Sequence, residues 1–221
     1  MRPSWAKQGR NLPTILDKKY ESILSNERSL AKAVSLSVIR PNPLTVWDIT
    51  MPPIFIFNYL RLKSAREIFN QNFLFTKKLA LEAALDMIKK GQNRNVVISR
   101  IEDKTSGILA SDNQGIYSKE IRQRQLKEID LLIDHYCRLL QAEGKDYASL
   151  VTNAYKNKEN YTTFLGQLKG TEEEVKLAAM DTLGTQTPPE AISRMEEATD
   201  RVRMAVAEKI FGTNGWLRDA E

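Results

Sequence analysis

Ser118-Lys-Glu-Ile-Arg-Gln-Arg-Gln-Leu-Lys-Glu-Ile-Asp-Leu-Leu-Ile-Asp-His-Tyr-Cys-Arg-Leu-Leu-Gln-Ala-Glu143 is the stretch on which the reading of the fold turns. Leu126, Ile129, Ile133, Tyr136 and Leu140 recur at steps of three and four, which places them on one face of a helix. That face is a helix-packing seam of the kind used in bundles and short coiled coils. Glu120 with Arg124, and Asp134 with Arg138, are spaced i to i+4 with the acid first, the better orientation for a pair. Gly144 is placed to end the helix.

The same period extends in both directions. Towards the N-terminus, Leu16, Tyr20, Ile23, Leu30, Val34 and Val38 form one face of a helix that starts near Asn11 and Pro13. Arg40-Pro41-Asn42-Pro43 stops it, because proline lacks an N–H and restricts the residue before it. With Thr50 as N-cap, Pro52 and Pro53 fall in the first turn of a second helix, where a missing N–H costs little. This helix runs on through Ala65, Ile68, Phe69, Phe73, Thr76, Ala80, Ala83 and Met87 to Lys89-Lys90-Gly91. Residues 95–113 read as helix or irregular chain, since Val96-Val97-Ile98 is β-branched but no second strand is there to pair with it. Asp112 to Gly115 reads as a turn.

Towards the C-terminus, Asp146 caps a helical pattern of Leu150, Val151, Ala154, Tyr161, Leu165 and Leu168, with an interruption expected at Asn157–Asn160. Thr171 with Glu174, and Thr187 with Glu190, have the spacing of capping boxes and predict two helix starts. Ile192, Met195, Val202, Val206 and Ile210 share a face of the last helix, which Gly212 to Gly215 ends. The fold class expected is all-α, a bundle of five to seven helices with a short apolar, proline-containing segment at residues 44–60.

That segment, Leu44 to Leu60, is the most apolar part of the chain. From Ile49 to Leu60 it carries no charge. As a helix it is about 18 Å long, short of a hydrocarbon core of about 30 Å, and extending it backwards would bring in Asp48. A full span is therefore not expected. Lys32 and Arg40 precede it, and Arg61, Lys63 and Arg66 follow. Basic residues on both sides suit a segment that dips into a bilayer and returns, or lies in its interface. The expected contacts are Trp47, Ile54, Phe55, Phe57, Tyr59 and Leu60, with Arg61, Lys63 and Arg66 at the headgroups. The alternative is that an all-apolar piece is buried, in the core or between copies of the chain.

Catalytic chemistry is not legible. His135 is the single histidine and Cys137 the single cysteine, and two positions apart on a helix they face different ways. They cannot supply the four ligands of a zinc site or the paired Glu-x-x-His elements of a di-iron bundle. Asp130 and Asp134, one turn apart, read as a solvated acidic strip, and Glu172-Glu173-Glu174 as acids at a helix N-terminus. No phosphate loop, dinucleotide fingerprint or nucleophile elbow occurs. No catalytic, cofactor-binding or metal-binding residue is assigned, and no cofactor is expected.

The formal charge of +5 is uneven. Residues 1–104 hold 18 basic and 9 acidic side chains, a net +9, and residues 105–221 hold 15 and 19, a net −4. A basic helical region at 1–104 and an acidic helical bundle at 105–221 follow, with one continuous domain as the alternative. One cysteine, no apolar leader and no span point to a cytoplasmic protein. Nucleic acid is not expected as a partner, because acids interleave with the lysines and no reading motif is present. Three functions follow in order. The first is a non-enzymatic scaffold or adaptor touching the inner face of an anionic membrane through residues 44–60. The second is a soluble interaction or oligomerising protein that buries them. The third is an enzyme using carboxylates.

Overall fold

A computed structural model describes residues 14–39, 52–113, 115, 117–183 and 189–212, with the backbone alone at 52–62, 183 and 189–192. Among these residues there are seven helices and no strand, and 90% of them are helical. The helices are α1 (Ile15–Val38), α2 (Pro52–Lys90), α3 (Arg94–Ser111), α4 (Lys119–Gln141), α5 (Tyr147–Tyr155), α6 (Lys158–Leu183) and α7 (Pro189–Gly212). The protein is an all-α, multi-helix bundle.

Side-chain caps fix the helix starts. Thr14 accepts from the Asp17 N–H at 3.2 Å while Asp17 accepts from the Thr14 N–H at 3.0 Å. This reciprocal box sets α1 slightly later than the prolines alone suggest. Ser118 caps α4 and Asp146 caps α5. Asn93 caps α3, so the β-branched run at 96–98 is helical, with Val97, Ile101 and Thr105 buried at successive turns. α2 starts at Pro52, which puts both prolines in the first turn as the sequence predicts. The break at Asn157 also occurs. Lys156 has φ 69°, and Asn157 accepts from the Asn160 N–H at 2.8 Å to restart the chain as α6.

Two readings of the sequence need correction. Thr171–Glu174 starts no helix. It lies inside α6, and the Thr171 hydroxyl donates to the Leu168 carbonyl at 2.8 Å. Asp134 pairs with Arg94 of α3 rather than with Arg138. The box expected at Thr187 lies outside the described residues, as do Trp47 and Thr50.

α1 and α2 are antiparallel, pinned at one end by Asp17 and Lys89 at 2.6 Å and at the other by Arg66 on the Ile39 carbonyl. α4 runs parallel to α2, with Thr76 opposite Glu128. α6 returns along α4, from His135 opposite Phe164 to Ser118 opposite Thr182. α7 runs back along α6 through Lys158–Glu208, Lys169–Asp200 and Lys176–Glu196. The main core takes Ile23 from α1, Leu81 from α2, Leu150 from α5, Phe164 from α6 and Ile210 from α7. α4 is its centre. Ile129, Ile133, Tyr136 and Leu140 are buried and Leu126 is half-buried, but Leu132 and Leu139 are buried too. The buried arc is therefore wider than a two-stranded seam, because α4 has neighbours on several sides. Among the described residues no helix is long and apolar enough to cross a membrane.

Candidate functional site

The bundle buries charge at its middle. Glu27 of α1, Lys77 of α2, Glu128 of α4 and Arg203 of α7 are 7%, 4%, 4% and 5% exposed. Each interrupts an apolar stripe in phase. Glu27 lies between Ile23 and Leu30, Lys77 between Phe73 and Leu81, Glu128 between Ile121 and Leu132, and Arg203 between Thr199 and Ala207. Glu172 of α6 follows Leu165 and Leu168 in the same way. Helical period thus turns all five inward, one from each long helix.

Arg203 grips Glu172 through two bonds, Nη1 to Oε2 at 2.6 Å and Nη2 to Oε1 at 2.7 Å. This is the planar fork that only arginine offers a carboxylate. The Lys77 ammonium donates to Glu172 Oε1 at 3.1 Å and lies 3.8 Å from Glu128 Oε1. It also stands over the Phe73 ring, 4.2 Å from its centroid. Thr76 donates to Glu128 at 2.7 Å, and Tyr136 donates to Glu27 at 3.0 Å. Three carboxylates share two cations.

The acids respond differently. Burial pushes Glu172 up, but Arg203 and Lys77 together outweigh it and hold the carboxyl below its ordinary value. Glu27 and Glu128 are pushed up, because burial exceeds what the more distant cations return. Burial, reinforced by the charge of Glu27, likewise raises the Tyr136 hydroxyl well above its ordinary value. The cluster is an ion pair, Arg203–Glu172, flanked by two carboxyls that burial raises above their ordinary value.

A cleft of about 230 Å³ opens beside this cluster, walled by Phe69, Phe73, Lys77, Glu128, Glu172 and Met195. On the cluster's other side Glu27, Tyr147, Tyr161 and Arg203 enclose about 20 Å³, the size of a site for one water molecule. The cluster and cleft escape the sequence reading because Lys77 and Arg203 meet Glu172 across 95 and 31 positions. The signal that could find them is a charged residue at an apolar phase.

His135 lies next to this centre but outside its ion pairs. It is buried, stacked on Phe164 with centroids 4.1 Å apart, and its Nδ1 is 2.6 Å from the Tyr155 hydroxyl. Burial, then the charges of Arg138 and Arg203, pushes it down to about 3, so it is neutral at physiological pH. Cys137 is half-buried and its thiol is pushed up by burial and by Asp134, which disfavours a thiolate. Asp130 and Asp134 both bind the Arg94 guanidinium. Glu172 sits in the buried cluster, Glu173 is 3.7 Å from Lys176, and Glu174 binds Arg124 at 2.7 Å, so none of the three is an N-terminal dipole acid.

The other candidate is the start of α2. Ile54, Phe55, Phe57, Tyr59, Leu60 and Arg61 lie on its first turns, where the backbone alone is described. Lys63 is exposed, and Arg66 is half-buried, with Nε and Nη2 donating to the Ile39 carbonyl at 3.1 and 2.6 Å. By register α1 ends opposite Arg66. Counting back from Thr76 opposite Glu128, α4 begins opposite about residue 67. The first turns of α2 therefore run on beyond the ends of the two long helices that it packs against. No family model, curated protein or solved structure matches the chain.

Proposed function

We propose that the protein is a non-enzymatic helical scaffold or adaptor that contacts the inner, anionic face of a membrane through residues 44–60. The observation that carries this reading is the overrun of α2 past α1 and α4, at the chain's longest uncharged aromatic run. Residues 52–62 make a helix about 16 Å long, too short to span but long enough to lie in or dip through one interface. Ile54, Phe55, Phe57 and Leu60 contribute apolar burial. Trp47 and Tyr59 are residue types of the interfacial layer, and Arg61 and Lys63 add about 1 kcal/mol each against anionic headgroups. Arg66 is tied to the Ile39 carbonyl. There it splints the exit of α2 from the bundle. The helices beyond residue 66 then form the cytoplasmic scaffold.

Vesicle co-sedimentation tests the reading. The protein is expected to pellet with phosphatidylserine-containing vesicles at low salt and to remain in the supernatant with phosphatidylcholine vesicles. Arg61→Glu with Lys63→Glu removes the headgroup preference, because that contribution is Coulombic and screened. Phe55→Ser with Phe57→Ser weakens binding at every salt concentration, because apolar burial is not screened. Arg66 is left intact, since replacing it also frees the end of α1. If the segment is instead buried between copies, the parent stays in the supernatant with every vesicle. It then sediments as an oligomer in the ultracentrifuge, and the two serines dissociate it.

A further inference from the structure

We infer that the cleft between α2, α4, α6 and α7 is a binding site for a small hydrophobic cation, a primary ammonium on an aromatic or branched alkyl body. Size comes first. The cleft holds about 230 Å³, and a cavity of roughly 150 Å³ already accepts a benzene ring. Phe69 and Phe73 stack with centroids 5.8 Å apart and, with Met195 and Val175, supply apolar wall.

Charge selects the ligand. Three lysines line the cleft, and each is already held by a carboxylate of the same wall. Lys77 binds Glu172 at 3.1 Å, Lys169 binds Asp200, and Lys176 binds Glu196. Arg203 also binds Glu172 from behind the wall, so the five carboxylates Glu128, Glu172, Glu173, Glu196 and Asp200 face four cations and one negative charge remains in excess. Glu173 is at the rim, 3.7 Å from Lys176. Glu128 is in the wall, 4% exposed, with a neutral hydroxyl bond from Thr76 and its nearest cation 3.8 Å away. A guest ammonium reaching Glu128 completes a charge-assisted bond in a low-dielectric site and balances the third carboxylate of the buried cluster. An anionic guest meets lysines that are already neutralised and a surplus of carboxylates. The aromatic wall suits a cation as well, since Phe73 already holds the Lys77 ammonium on its ring at 4.2 Å.

The probes are 2-phenylethylammonium, its neutral counterpart 2-phenylethanol, and 3-phenylpropanoate, titrated into the full chain by calorimetry and by NMR. The ammonium is expected to bind with a Kd of about 1 mM or tighter. The alcohol and the carboxylate are expected to bind at least about tenfold more weakly, the value of one charge-assisted bond. Resonances of Phe69, Phe73 and Thr199 should shift on titration. Glu128→Gln keeps an acceptor for Thr76 and should lose about tenfold in ammonium affinity. Met195→Trp fills the cleft without touching a charge and should abolish binding. Equal or tighter binding of the carboxylate or alcohol overturns the assignment. So do shifts that map away from Phe69 and Phe73, or no ammonium binding to the parent at 10 mM, about ten times the expected limit. The parent titration decides the matter even if Glu128→Gln does not fold.

Discussion

Glu27 shows how one buried side chain makes stability depend on pH. Its folded carboxyl is raised above the ordinary 4.5, first by burial. Between that value and the folded one the folded chain therefore holds more of this proton than the unfolded chain does. The contribution to stability is full below 4.5 and is lost as the pH rises through the folded value. His135 has the opposite sign. Its folded value of about 3 lies below the ordinary 6.5, so its contribution is present above 6.5 and fades as the pH falls towards 3. The difference between parent and Glu27→Gln isolates the glutamate. As the pH rises above 4.5, the melting temperature of the parent should fall relative to that of Glu27→Gln, which still accepts from Tyr136. Parallel curves would show that Glu27 ionises at its ordinary value. At Arg203 the expected effect is larger. Arg203→Leu strips both bonds from Glu172 and leaves that carboxylate to Lys77, and breaking a buried pair costs about 3–5 kcal/mol. Urea unfolding should show a loss of unfolding free energy of that size, partly restored by Arg203→Lys. The sequence hides this cluster for a physical reason. The Thr171–Glu174 spacing is local and visible, whereas the partners that define Glu172 come from α2 and α7. Periodicity shows which way a residue points and does not show what it meets.

Among the elements, what was legible was whatever a stripe and a cap jointly specify. α4 has both: a long apolar face, and Ser118 accepting from the Ile121 N–H at 3.2 Å. α6 shows the limit. Its stripe of Tyr161, Leu165, Leu168, Val175 and Ala178 keeps one phase throughout, interrupted only by Glu172. That continuity overrules the capping spacing at Thr171, because a threonine inside a helix can return its hydroxyl to an earlier carbonyl in the same helix. α3 is the converse case. Its β-branched run favours a strand only where another strand can pair with it, and the Asn93 cap tips it into helix. Ser118 ties two of these elements together, since Thr182 at the far end of α6 donates to its hydroxyl at 2.8 Å. Ser118→Ala should cost about 1 kcal/mol through the lost cap. It should also speed hydrogen exchange at the Ile121 amide and in the last turn of α6. Faster exchange at Ile121 alone would mean that the Thr182 contact carries no stability.

At the scale of the whole molecule, the charge split that runs along the sequence is partly spent inside the fold. Lys77 and Arg94 of the basic half find their carboxylates in the acidic half, at Glu128 and Glu172 and at Asp130 and Asp134. Residue 104, near which the net charge changes sign, lies within α3, and the main core draws on helices from both sides of it. The turn between α3 and α4, where Gly115 has φ 67°, is the better place to divide the chain. A division there leaves Glu27 and Lys77 in one fragment and Glu128, Glu172 and Arg203 in the other. Each fragment would keep buried charge without its partners, and the second would also lose the α1 and α2 surfaces that cover α4. Unpaired buried charge and an uncovered apolar face both oppose folding. Fragments 1–114 and 115–221, expressed separately, should therefore give broad, non-cooperative melts by circular dichroism. Mixed at equal concentration, they should form a 1:1 complex with a single cooperative transition. That complex should survive high salt, because Lys77 and Arg203 are buried and weakly screened. A sharp transition in either fragment alone, near the melting temperature of the whole chain, would show two independently folding units, with the charged cluster added at their junction rather than holding one fold together.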